Sequence, residues 1–328
     1  MRYVPVYEAS PRVLCSWLFV PGALKCDRTL LISRRPLIVP YKLNTMVEFI
    51  EINGARLAYR LVGVENAPLI ITLHGGRGFG DHKSDFTAYS PLADAFRVLS
   101  FDFRGHGQSS HTRPYTFDQI VQDIEGLRRH FARPDGRVII CGGSFGGYLA
   151  QQYAIKHASH ISHLILRGTA PSHHHEERAI KVLEQRLHKA PSLSVDMLRN
   201  KIFDRFESDL EFQLVMHAAA PLYSEAFDPD RALRKSLETK FSAEAHNDLY
   251  SKSEKFFDYR DSLDKITAKT LVIVGEQDWI CPPAESEFIA SHIPGARLRV
   301  FQNANHNVHL EQNAAVIAEI RQHLKMTS

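Results

Sequence analysis

Residues 137–155 read RVIICGGSFGGYLAQQYAI, and this stretch decides the fold. Arg137 to Cys141 is a short, apolar, β-branched run of the kind that forms a buried strand. Tyr148 to Ile155 has helical composition and spacing. Between them lies Gly142-Gly143-Ser144-Phe145-Gly146-Gly147, a serine with glycines two positions before and two positions after it. A serine held between strand and helix in this way is a nucleophile elbow, and G-x-S-x-G becomes specific only in that frame. The turn is so tight that a Cβ at Gly142 or Gly146 would meet the neighbouring element, so only glycine fits. The serine hydroxyl is then raised above the sheet edge, over the N-terminus of the following helix.

Outward from the elbow, the chain alternates strands with helices. Val47 to Ile52 and Arg56 to Val62 pair as a hairpin through Asn53-Gly54. Leu69 to Leu73 is an apolar strand ending in His74-Gly75-Gly76, followed by a helix near Ser84 to Ala95. Arg97 to Phe101 is a strand running into Asp102 to Ser109 (DFRGHGQS), where Asp102 and Arg104 are read as fixing the loop beside the site. Phe117 to Phe131 has helical periodicity, with Asp118, Asp123 and Glu125 expected toward solvent. Beyond the elbow come the strand Ser162 to Arg167 and the loop Gly168 to Pro171. Then follow the strand Thr270 to Val274, a helix near Pro283 to Ser291, the strand Arg297 to Phe301 and a last helix over about 310–324. This order predicts an α/β fold, a mostly parallel sheet with helices on both faces. Residues 172–262 lack any long β-branched run and read as a helical lid inserted between two core strands, within one domain spanning 46–328.

Composition narrows the function. The chain has 328 residues, 44% of them apolar, enough for a large core. A net charge of +3 argues against nucleic acid as the main partner. Residues 1–45 carry seven cations against Glu8 and Asp27, so the remainder is slightly acidic. Val13 to Leu24 is broken by Pro21-Gly22 and is too short to span a bilayer, so no transmembrane segment is expected. Residues 1–45 are read as an upstream extension before a start at Met46, with a targeting segment as the alternative. Cys15, Cys26, Cys141 and Cys281 show neither metal spacing nor a disulfide framework, which fits an intracellular, cytoplasmic setting. Nothing in the pattern specifies an oligomeric state.

A serine hydroxyl needs a base, and the base needs an orienting carboxylate. In this architecture both come later, on loops at the carboxyl ends of strands. Val274-Gly275-Glu276-Gln277-Asp278 follows one strand and Asn303-Ala304-Asn305-His306 the next. Ser144, Asp278 and His306 are therefore the expected nucleophile, orienter and base, with His309 as the competing histidine. The backbone N–H groups of Phe145 and Gly76 are the expected oxyanion donors. His173-His174-His175 cannot all face one ion, so no metal is expected, and the mechanism calls for no cofactor.

With these residues in hand, the chain from about Val47 to Leu324 resembles the α/β-hydrolase fold, and within it the proline iminopeptidase branch, peptidase family S33. The resemblance rests on His74-Gly75-Gly76, Asp102 to Ser109, Gly142 to Gly147, Gly275 to Asp278 and Asn305-His306. It implies a helical lid, a small-molecule substrate and the same three catalytic residues. It also implies release of N-terminal residues from short peptides, which requires a lid carboxylate for the free amine, and Glu254 stands where one would fall. Around Glu211, the apolar Leu214 and Val215 occupy the place of a second. A departure stands at Arg77, where that branch has proline after the two glycines. Gly168 to Glu176 (GTAPSHHHE) is also similar to fungal hydrolases of toxin and other secondary-metabolite pathways. The expected function is serine hydrolysis of a small amide or ester through an acyl-enzyme. The alternatives are an ester or lactone hydrolase, an acyltransferase or lyase, and a non-catalytic small-molecule receptor.

Overall fold

A computed structural model of the chain describes residues 46–133 and 136–325. The expectation for residues 1–45 lies outside the described residues. Eight strands form one sheet: β1 Glu48–Ile52, β2 Ala55–Gly63, β3 Leu69–Leu73, β4 Arg97–Phe101, β5 Val138–Gly143, β6 Ile161–Arg167, β7 Lys269–Gly275 and β8 Arg297–Phe301. Their order is β1-β2-β4-β3-β5-β6-β7-β8. β2 runs antiparallel to both β1 and β4, and every other pair is parallel. The Asn53-Gly54 turn closes the first hairpin with Asn53 at φ 48°, in register Ile52 opposite Ala55.

Both faces of the sheet are buried, as the continuous apolar strands require. β3 sends Leu69, Ile71 and Leu73 into one core and Ile70 into the other. β5 likewise divides Val138 and Ile140 from Ile139 and Cys141. The first core is covered by α2 (Phe117–Phe131) and α3 (Phe145–Lys156), the second by α1 (His82–Tyr89) and α12 (Asn313–Lys325). Between β6 and β7 the chain forms α4 (His175–Arg186), the single turn α5 (Val195–Met197), α6 (Asp209–Ala219), α7 (Pro229–Glu238), α8 (Ala243–Leu249) and α9 (Lys252–Lys255). α10 (Pro283–His292) joins β7 to β8, and α11 (Val308–Glu311) precedes α12. Among the described residues, no helix is long and apolar enough to cross a membrane.

Two local expectations fail for identifiable reasons. Asp123 and Glu125 on α2 are buried, not solvent-facing. Arg104 Nε and Nη2 grip Asp123 at 2.6 and 2.8 Å, and Arg128 grips Glu125 with two bonds of 2.8 Å. Only Asp118 of the three faces solvent. The last helix is also two helices, interrupted at Gln312, where φ −126° and ψ 43° leave the helical region. Asn313 ties the break by donating from Nδ2 to the carbonyls of His309 and Ala88, both at 2.9 Å.

Candidate active site

The elbow stands at the end of β5. Ser144 has φ 53° and ψ −122°, a strained backbone for a residue with a side chain. What forces the strain is proximity. A Cβ on Gly146 would lie 2.0 Å from the Leu73 carbonyl oxygen, and one on Gly142 would lie 2.3 Å from that of Gly146. The Ser144 N–H donates to the carbonyl of Arg167 at 3.0 Å, anchoring the turn to β6. Phe145 opens α3, in the first turn, whose N–H groups have no partner within the helix.

Asp278 and His306 meet at the neighbouring strand ends. His306 Nδ1 donates to Asp278 Oδ2 at 2.8 Å. The other carboxylate oxygen accepts from the N–H groups of Ile280 and Cys281 at 3.1 and 2.9 Å. Asp278 is 2% exposed and His306 5% exposed, so the pair is shielded from water. Gly168, at φ 47°, makes room for it, because a Cβ there would lie 2.7 Å from Asp278 Oδ2. The loop after β6 therefore lacks a carboxylate and is shaped around the one arriving from β7. With Nδ1 committed to Asp278, Nε2 is the ring nitrogen left for proton transfer.

The glycine loop after β3 is held from several sides. His74 stacks on Phe103 with ring centroids 4.0 Å apart, and its Nε2 accepts from the Phe103 N–H at 3.3 Å. His106 accepts the Gly78 N–H at 2.8 Å, and burial pushes its pKa down to about 3, which keeps it the neutral acceptor this bond needs. The Gly78 carbonyl accepts from Ser242 N–H at 2.8 Å, and His246 on α8 donates to the Arg77 carbonyl at 3.0 Å. The inserted helices and the loop carrying Gly76 are therefore one connected unit.

Gly76, Ser144, Phe145 and His306 line a single cavity of about 690 Å³. The inserted helices roof it with apolar groups, among them Phe212 and Met216 of α6. Glu254 is not among its lining residues: on α9 its carboxylate accepts the Phe117 N–H at 2.8 Å and so caps α2. Glu211 is likewise occupied, by Lys201 at 2.6 Å and the Glu207 N–H at 2.7 Å. His309 also reaches the cavity, but it lies 3.7 Å from Asp85, not beside Asp278. His175 is buried against Tyr148, its ring nitrogen 3.0 Å from the phenol oxygen, and burial drives its pKa down to about 3. Among the described residues, Glu125, His157 and His160 bring possible metal ligands within 4.8 Å of one another, but Arg128 and Arg129 already hold that carboxylate.

Two features of the site escaped the sequence reading. Arg167 ends β6 as a 4% exposed cation; a Cβ on Gly143 would lie 1.9 Å from its guanidinium. From there Nη1 donates to the His306 carbonyl at 3.3 Å, and Nη2 pairs with Asp85 at 3.6 Å. An arginine closing an apolar strand beside the elbow is the only local signal for it. The second feature is the aromatic enclosure of Arg77, whose guanidinium lies over the rings of Tyr250 and Phe117.

A family model for the alpha/beta hydrolase fold matches residues 68–312. Over 280 residues the chain is 65% identical to a proline iminopeptidase, PfmaB, of Pestalotiopsis fici, covering 85% of this chain and 100% of that one. It is 26% identical over 303 residues to a proline iminopeptidase of Saccharolobus solfataricus, covering 86% and 93%. Among solved structures, a hydrolase from Pseudomonas aeruginosa superposes with a TM-score of 0.65 at 26% identity, covering 86% and 99%.

Proposed function

The chain belongs to the α/β-hydrolase fold family, and on that premise we propose that it is a cofactor-free serine hydrolase of small amides and esters, of the proline iminopeptidase type. Ser144 attacks the carbonyl carbon while His306 Nε2 takes its proton. Asp278 holds the ring in the required tautomer and stabilises the imidazolium. The N–H groups of Phe145 and Gly76 receive the developing oxyanion. His306 then protonates the leaving group, and water attacks the acyl-enzyme with the same base. The observation that carries the reading is the buried 2.8 Å His306–Asp278 bond beside a serine held at φ 53° in the same cavity. A cytoplasmic setting is part of the proposal, supported by the buried free thiols of Cys141 and Cys281.

A second reading, hydrolysis of esters or lactones without a free amine, draws support from Glu254 and Glu211, whose carboxylates are both engaged away from the cavity. The test is fluorophosphonate labelling followed by a substrate panel. Covalent labelling at Ser144, abolished in Ser144→Ala, is the expected result; an unlabelled native protein refutes the serine mechanism. Turnover of a prolyl amide supports the iminopeptidase reading, and turnover confined to esters or lactones supports the second.

A further inference from the structure

Arg77 occupies the position at which the resemblance calls for proline, and its side chain is 4% exposed. Its guanidinium carbon lies 4.0 Å from the ring centroid of Tyr250 and 5.2, 5.4, 5.5 and 5.7 Å from those of Phe117, Tyr148, Phe257 and Phe145. Nη1 makes one long bond, 3.4 Å, to the carbonyl of Leu249, and Nη2 is buried without a partner. Among the described residues no carboxylate pairs with it within 4.0 Å. Glu176 acts on it only from farther off, and burial pushes that carboxyl up to about 7, so at neutral pH its charge is incomplete.

A buried cation without a counter-ion is costly. Aromatic faces offset part of that cost, but they cannot accept the in-plane N–H that Nη2 still offers. The group that satisfies both needs is a planar anion, since a guanidinium fork matches a carboxylate in shape as well as charge. Arg77, Phe145, Tyr148 and Tyr250 line the same cavity as Ser144, so the box opens on the reacting centre.

The rest of the cavity carries charges of both signs. Of its acids, Asp81 caps α1 and pairs with Lys83, Asp228 caps α7, Glu311 accepts the N–H groups of Glu225 and Asn305, Glu238 is exposed, and Asp85 lies 3.6 Å from Arg167 and 3.7 Å from His309 with neither oxygen hydrogen-bonded. Arg231 and Lys235 of α7 reach the cavity as further cations. A protonated amine placed in the aromatic box meets the charge of Arg77, whereas an anion there meets an attraction that the low-dielectric surroundings strengthen.

We propose that Arg77 is a carboxylate-binding site and that the natural substrate is a small ester or amide carrying a free carboxylate, held in the aromatic box while its carbonyl faces Ser144. The substrate class rests on the serine-hydrolase reading; the anion site itself does not.

The test has a binding arm and a kinetic arm, both on the full chain. In titration calorimetry, glutarate should bind saturably and glutaramide at least tenfold more weakly. Arg77→Gln should weaken glutarate at least tenfold, with Arg77→Lys between the two. In kinetics, the ratio of kcat/KM for the p-nitrophenyl hemiester of glutarate over that for p-nitrophenyl valerate should exceed ten and fall at least tenfold in Arg77→Gln, mainly through KM. Where Arg77→Gln does not fold, the native protein decides: glutarate, and not glutaramide, should protect Ser144 from a fluorophosphonate. Equal binding of acid and amide, or a ratio that Arg77→Gln leaves unchanged, overturns the proposal and makes Arg77 a strut toward Glu176. Charge-selective binding in a protein that no fluorophosphonate labels keeps the anion site and removes the serine mechanism instead.

Discussion

Glu176 offers a quantitative test of the electrostatics around the site. It lies half-buried in the first turn of α4, with Oε1 shielded from water and lacking any hydrogen-bond partner. Burial raises its pKa from 4.5 to about 7; Arg77 and Lys255 oppose the rise, while Glu177 and Asp204 add to it. The folded-state pKa of this acid lies above its unfolded value. Its contribution to stability is therefore complete below about pH 4.5 and is lost as the pH rises through about 7. At ~1.4 kcal/mol per pH unit, the loss across that window is on the order of 3 kcal/mol. Glu176→Gln keeps the shape and removes the titration. Urea denaturation of both proteins between about pH 5 and about pH 8 should show the native chain losing roughly 2 to 3 kcal/mol more than the variant. All other ionisations are shared, so the difference between the two profiles isolates this one carboxyl. Profiles parallel to within about 0.5 kcal/mol would refute the argument, because Glu176 would then be as well solvated folded as unfolded.

Ser144→Ala should lower kcat by several orders of magnitude with an unchanged Tm, leaving only what binding and the oxyanion donors supply. His306→Ala should cost about as much, whereas His309→Ala, which removes a neighbour of Asp85, should act mainly on stability; steady-state kinetics on one ester ranks them, and the reverse order would move the base. Glu254→Gln should cost about 0.5–2 kcal/mol of stability through the α2 cap and change kcat/KM for aminoacyl and N-acetylated substrates equally; a selective loss on the free amine would restore it as an amine ligand. Asp123→Ala leaves Arg104 buried and unpaired and should cost about 3–5 kcal/mol in chemical denaturation.

How much of this molecule is legible in its sequence depends on whether a residue's surroundings are local. The strands announce themselves because a parallel sheet buries both faces, which leaves continuous runs such as Leu69 to Leu73, all five buried. Asp123 and Glu125 defeat the same logic. Periodicity reads a helical carboxylate as solvent-facing, and nothing in α2 itself announces that Arg104, 19 residues earlier, will bury one of them. The same holds for Glu254, whose hydrogen-bond partner is the Phe117 N–H, 137 residues away. The break between α11 and α12 is missed because the apolar pattern continues through it while Asn313 captures a carbonyl of α1.

The same distinction explains why reaction type and substrate differ in legibility. Ser144, Asp278 and His306 follow β5, β7 and β8, where each loop is short and its place is set by the strand before it. A motif of four to six residues therefore carries most of the geometry. The surroundings of Arg77 are assembled otherwise. Its rings come from α2, α3 and the stretch after α8, and its one side-chain hydrogen bond spans 172 residues to Leu249. No window of the sequence contains that box; it exists only after the inserted helices close over the glycine loop. The replacement of proline by arginine is a one-letter difference in an otherwise matching motif, yet it puts a cation inside the cavity lined by Ser144 and His306. The motifs thus carry the placement of Ser144, Asp278 and His306 at the strand ends. They say nothing of the rings around Arg77, on which the proposed substrate class depends.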